Sequence, residues 1–126
     1  MNDARLFARG GWRAHKEERF EEATAAFARA VELEPSTRAY WNGYAVSLAS
    51  LFRLAEACEA LQRSLKLDPS AIDIWCIYGE LSYERGDLRN AATAFARCVA
   101  LDPTAEDPAG RRARGLIKRV HKSLKK

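Results

Sequence analysis

Apolar and small residues recur along this chain at helical rather than alternating intervals. Phe7, Gly11 and Ala14 stand at i, i+4 and i+7, as do Trp41, Ala45 and Leu48, and that spacing lines one face of an α-helix. A denser stripe follows each: Ala23, Ala26, Phe27, Ala30 and Val31, matched from Ala57 to Leu65 and from Ala91 to Val99. Stripes of this width belong to amphipathic helices with one buried side. Each closes on a proline, which cannot continue the hydrogen-bond ladder. The pattern predicts pairs of helices.

The pairs are copies of one phrase. Pro35, Pro69 and Pro103 lie 34 residues apart and end Val-Glu-Leu-Glu-Pro, Leu-Lys-Leu-Asp-Pro and Val-Ala-Leu-Asp-Pro. In the same frame fall Ala23, Ala57 and Ala91; Phe27, Leu61 and Phe95; Phe20, Leu54 and Leu88; Ala26, Ala60 and Ala94; and, upstream, Phe7, Trp41 and Trp75. Gly11, Ala45 and Gly79 are expected to face Ala23, Ala57 and Ala91 and let two helix backbones approach closely. One hairpin cannot bury its apolar side alone, so three must stack.

These residues resemble the tetratricopeptide repeat family, whose 34-residue pattern runs Trp-x2-Leu-Gly-x2-Tyr, then Ala-x3-Phe, then Pro. The third unit shows Trp75, Tyr78, Gly79, Ser82, Ala91, Phe95 and Pro103; the second shows Trp41, Tyr44, Ala45, Leu48, Ala57, Leu61 and Pro69. The first has Phe7, Gly10, Gly11 and Ala14 at its front and matches at Ala23, Phe27 and Pro35. The resemblance covers residues 4–103. It implies an all-α, right-handed superhelical solenoid of three antiparallel hairpins, a single domain over 1–126 with repeats at 4–37, 38–71 and 72–105. Residues 106–126 then form a basic capping helix and tail, the helix running from about Pro108 to Leu124 with Ala113, Leu116, Ile117, Val120 and Leu124 on one stripe. Phe52 departs from the pattern, because the third unit has Gly86 at the same turn, and a different turn is expected in the second hairpin.

Length and charge narrow the reading. At 126 residues there is room for one domain. The net charge of +4 is uneven: Arg111, Arg112, Arg114, Lys118, Arg119, Lys122, Lys125 and Lys126 face no acidic residue after Gly110, leaving 13 basic against 17 acidic residues before it. The basic character therefore belongs to the final helix. Cys58, Cys76 and Cys98 form no C-x2-C pair and read as reduced, buried thiols. The opening residues lack a basic segment followed by an apolar run, and no apolar stretch is long enough for a membrane span, so a cytoplasmic location is expected. The many Ala and Arg residues point to a GC-rich bacterial genome.

Catalytic chemistry finds no support. His15 and His121 lie near opposite ends, no His or Cys pair has ligand spacing, and Gly10-Gly11 lacks the later glycines and lysine of a phosphate loop. Glu17, Glu18, Glu21 and Glu22 cluster around the start of a second helix, where negative charge complements the helix dipole. The expectation is a non-enzyme with no cofactor and no metal.

In the resembling family the concave face is lined by the first helix of each repeat. The matching non-core positions here are basic and aromatic at one end (Arg5, Trp12, His15, Lys16), small and apolar in the middle (Ala39, Val46, Ala49, with Asn42), and acidic at the other (Asp73, Glu80, Glu84, with Tyr83). Ala8, Cys76, Arg114 and Lys118 fall in the same columns. Trp12 and Tyr83 are the expected aromatic anchors, and the Asn42 amide is expected to hold a peptide backbone through two hydrogen bonds. The family's clamp for acidic chaperone tails is missing, since Ala8, Trp12, Gly43 or Val46, Asp73 and Ile77 stand where its basic and amide side chains belong. The small bacterial chaperones of type III secretion are similar in size and build. A peptide or protein client in the groove is thus the expected partner, as a scaffold, adaptor or chaperone would bind it. The alternatives are docking to nucleic acid, an anionic membrane or an acidic protein through Arg111, Arg112, Lys118, Arg119 and Lys122, and self-assembly into a homo-oligomer.

Overall fold

The helical periodicity becomes seven α-helices in a computed structural model that describes residues 3–125. They are α1 (Asp3–Lys16), α2 (Phe20–Leu33), α3 (Arg38–Ser50), α4 (Leu54–Leu67), α5 (Ile72–Glu84), α6 (Leu88–Leu101) and α7 (Pro108–Leu124). Met1, Asn2 and Lys126 lie outside the described residues. The chain divides into two compact units, α1–α4 ending at Asp68 and α5–α7 beginning at Pro69.

The turns inside the three hairpins are alike. Glu18, Phe52 and Gly86, one repeat apart, have φ of 62°, 58° and 81°. The next residue's N–H reaches back over the helix end in each: Arg19 to the Ala14 carbonyl (2.8 Å), Arg53 to Leu48 (3.0 Å) and Asp87 to Ser82 (2.9 Å). This is a Schellman closure, which satisfies carbonyls that the helix leaves unpaired and demands one left-handed residue. The second hairpin therefore turns like the third, contrary to the expectation from Phe52. Its aromatic ring is 83% exposed, so the backbone closure prevails although a non-glycine residue there costs about 1 kcal/mol.

In the first unit Phe27 is fully buried against Gly11 of α1 and Gly43 of α3. A Cβ at Gly11 would lie 2.8 Å from the Phe27 ring. The glycines make room for an aromatic ring rather than for a second backbone. Around it lie Ala8 and Ala30, with Tyr40 and Tyr44 packed alongside, while α3 and α4 bury Leu48 and Leu61.

In the second unit Phe95 is likewise buried, against Gly79, in a core shared with Cys76, Ala91, Cys98, Ala113 and Val120. The last two belong to α7, which packs on α6 and α5. The entry to α7 differs from the earlier inter-repeat turns. Asp102 is buried, and its carboxylate accepts from the backbone N–H groups of Glu106 (3.0 Å) and Asp107 (3.1 Å), while Ala105 takes a left-handed φ of 58°. Gly110 sits directly on the Asp102 side chain, where no Cβ fits. Asp107 then caps the helix by accepting from Ala109 N–H at 2.8 Å. As a result α7 begins 36 residues after α5, whereas α5 begins 34 after α3. The repeat register slips by two residues.

Candidate functional site

The first unit offers the α1 and α3 side chains. Trp12 is 44% exposed, yet its ring is held edge-on by Phe27 (centroids 4.9 Å apart) and neighboured by His15 at 6.1 Å. His15 in turn meets Phe20 edge-on at 5.2 Å, and its Nε2 is buried without a hydrogen-bond partner among the described residues. Arg5 and Lys16 are exposed; Asn42 and Val46 are half-buried. The Asn42 side-chain oxygen accepts from Ser64 Oγ of α4, which holds the amide in place with its NH2 and a second oxygen lone pair still open. Ala8 is buried and cannot line a face.

The second unit offers α5. Asp73 and Glu84 are exposed. Tyr83 is half-buried and packs against the core of this unit. Glu80 accepts from Arg112 Nε of α7 and, at 3.5 Å, from the Cys76 thiol. Cys76 is buried rather than lining, and burial, followed by the nearby Glu80 charge, pushes its thiol up to about 12. Burial raises the Cys98 thiol as well. Both are free thiols.

The basic residues of α7 separate into two groups. Arg111 donates to the carbonyls of Ala105 and Glu106, both at 2.9 Å; Arg112 pairs with Glu80; Arg114 donates to the carbonyls of Asp102 (2.8 Å) and Pro103 (3.1 Å). The register slip explains Arg114, which turns to the α7 entry instead of joining the α5 column. Lys118, Arg119 and Lys122 are exposed and have no partner among the described residues. The apolar stripe of α7 is spent on its own core: Ala113 and Val120 are buried, with Leu116 and Ile117 packed beside them. No helix among the described residues is long and apolar enough to cross a membrane, and no group of three or more His, Cys, Asp or Glu there could hold a metal ion.

One periodic feature escaped the sequence reading. Arg29, Arg63 and Arg97 place their guanidinium groups over the rings of Phe7, Trp41 and Trp75 at 5.5, 5.6 and 5.9 Å, close enough for cation–π attraction. The indole N–H of Trp41 donates to the Pro35 carbonyl and that of Trp75 to Pro69, both at 2.7 Å. The 34-residue spacing of the three arginines was the available signal.

The family profile described as Tetratricopeptide repeat matches residues 9–72 and 53–106. The chain belongs to the tetratricopeptide repeat family. Solved tetratricopeptide-repeat structures share its fold, an all-α solenoid of helix hairpins. PcrH in complex with the chaperone binding region of PopD is 18% identical, with TM-score 0.85 over 95% of this chain and 92% of that one. The Yersinia enterocolitica type III secretion chaperone SycD, in complex with a peptide of the translocator YopD, is 12% identical, with TM-score 0.84 over 95% and 93%. The first tetratricopeptide domain of Spaghetti (RPAP3), bound to the HSP90 peptide SRMEEVD, is 16% identical, with TM-score 0.84 over 98% and 94%. No curated protein matches the chain.

Proposed function

We propose that this tetratricopeptide repeat chain is a non-catalytic interaction module that holds a peptide or protein segment of a client on the first-helix faces of its repeats. The observation that carries the reading is Trp12, a large aromatic half in water and yet fixed in orientation by the buried Phe27 ring. A ring held this way binds without losing much side-chain freedom, which favours an interface anchor. On α3, Val46 and Ala49 are half-buried and apolar, suited to an extended apolar segment. SycD, a type III secretion chaperone, holds a peptide of the translocator YopD, and PcrH holds the chaperone binding region of PopD, which supports the finer reading of a small bacterial cytoplasmic chaperone or adaptor of the type III secretion kind. An acidic chaperone tail fits less well, because Asp73 is exposed where the family's clamp carries a basic or amide group.

The test is capture of clients from lysate by wild type, Val46→Arg and Trp12→Ala, at low and high salt. Each substitution is expected to reduce capture by about tenfold or more while leaving the helical circular dichroism unchanged. Undiminished capture by both variants overturns the reading. Capture that vanishes in salt and on replacing Lys118, Arg119 and Lys122 with Glu transfers the function to α7.

A further inference from the structure

The hairpin tips of the first unit carry a surface that the client face does not use. Phe52 is the most exposed large apolar side chain among the described residues, at a position where the third hairpin has glycine. Beside it opens a groove of about 550 Å³ bordered by Glu21, Ala25, Tyr44 and Leu51, with a neighbouring hollow of about 360 Å³ that includes Glu18. Glu18 and Glu21 are exposed and have no side-chain partner among the described residues, whereas Glu17 and Glu22 are both paired with Arg19. Arg53 and Arg19 also line these hollows but are paired, with Glu56 and with Glu17 and Glu22, so the corner is apolar at its centre and the charges left unpaired at its rim are anionic.

The last two turns of α7 have the opposite character. Lys118, Arg119 and Lys122 are unpaired, and Leu124 is 44% exposed where the apolar stripe runs past the core. Each surface joins an uncovered apolar side chain to unpaired charges of a single sign. Neither can meet its own copy without bringing like charges together, while each complements the other. We infer that they pair between separate copies: the end of α7 of one molecule seats on the Phe52 corner of the next, with Leu124 against Phe52 and the groove, and the lysines toward Glu18 and Glu21. The contact joins two different surfaces, so every molecule offers one of each. It is independent of the client face and of the proposal made for it.

Sedimentation velocity of the full chain across a concentration series, at about 50 mM and about 500 mM salt, tests this. Wild type is expected to self-associate at low salt and to dissociate at high salt. Phe52→Gly relieves the left-handed backbone, so it keeps the fold, and it is expected to weaken association by about tenfold or more. Glu18→Lys with Glu21→Lys, and Lys118→Glu with Lys122→Glu, are each expected to be monomeric alone and to associate when mixed. A wild type that stays monomeric overturns the inference, as does association that survives Phe52→Gly. Self-association of the Lys118→Glu, Lys122→Glu protein by itself overturns it too, because that would mean a corner-to-corner contact.

Discussion

Phe27 and Phe95 hold the same place in the first and third repeats, and their surroundings differ. The Phe27 ring meets two missing side chains, Gly11 from its own hairpin and Gly43 from the next. Phe95 meets one, Gly79, and the helix that follows its hairpin, α7, brings Ala113 to this core where α3 brings Gly43 to Phe27. In the second unit the remaining space is filled by Cys76, Cys98, Ala113 and Val120. One centre accommodates a large ring by removing atoms around it; the other surrounds its ring with mid-sized side chains from a seventh helix. The repeat period thus specifies where the ring goes, and the neighbouring helix decides how the ring is enclosed.

The strongest way to break this comparison is to delete the rings. Phe27→Ala and Phe95→Ala should each cost about 3–5 kcal/mol in denaturant unfolding, with faster amide exchange concentrated in α1–α4 for the first and α5–α7 for the second. Equal loss of protection throughout the chain in both variants would show that the two units do not fail separately. A finer probe adds one methyl: Gly43→Ala drives a Cβ into a fully buried ring and should cost about 1–3 kcal/mol, while Ile77→Ala, at a half-exposed position of α5, should cost less than about 1 kcal/mol.

The thiols sharpen the comparison through pH. The folded Cys76 thiol is pushed up to about 12 from an ordinary value of 9.0, so the native state holds this proton more tightly than the unfolded chain. Its stabilising effect is complete below about pH 9 and is lost as pH rises toward 12. Cys76→Ala should therefore flatten part of the alkaline decline in the melting temperature of the second unit. The smallest effect concerns the turns: Gly86→Phe should destabilise by about 1 kcal/mol and Phe52→Gly should recover a similar amount, since both exchange glycine and phenylalanine at a left-handed position.

Much of this architecture was legible because it is periodic. Helical spacing and the proline frame placed all seven helices, including α7 at Pro108–Leu124. The left-handed turns at Glu18 and Phe52 were not legible, because a Schellman closure is a backbone arrangement and neither residue advertises it as Gly86 does. The two-residue slip at α7 goes with a buried Asp102 accepting two N–H groups, and the Asp-Pro phrase that Asp102 shares with Asp68 does not announce it. For the candidate site, exposure could be read for Arg5, Trp12, Lys16, Asp73 and Glu84. The commitments of Asn42 to Ser64 and of Glu80 to Arg112 could not, since those partners are 22 and 32 residues away. The arginines over Phe7, Trp41 and Trp75 went unread, because a surface cation carries no sign in the sequence of the ring it covers.

The indole of Trp75, tied to the Pro69 carbonyl and covered by Arg97, gives the second unit a single tryptophan, while Trp12 and Trp41 both lie in the first. Replacing those two by phenylalanine leaves a tryptophan emission, excited to the red of tyrosine absorption, that belongs to α5–α7 alone. Loosening of that unit then appears as a red shift of one chromophore, and light, with no added label, distinguishes which half of the chain has opened.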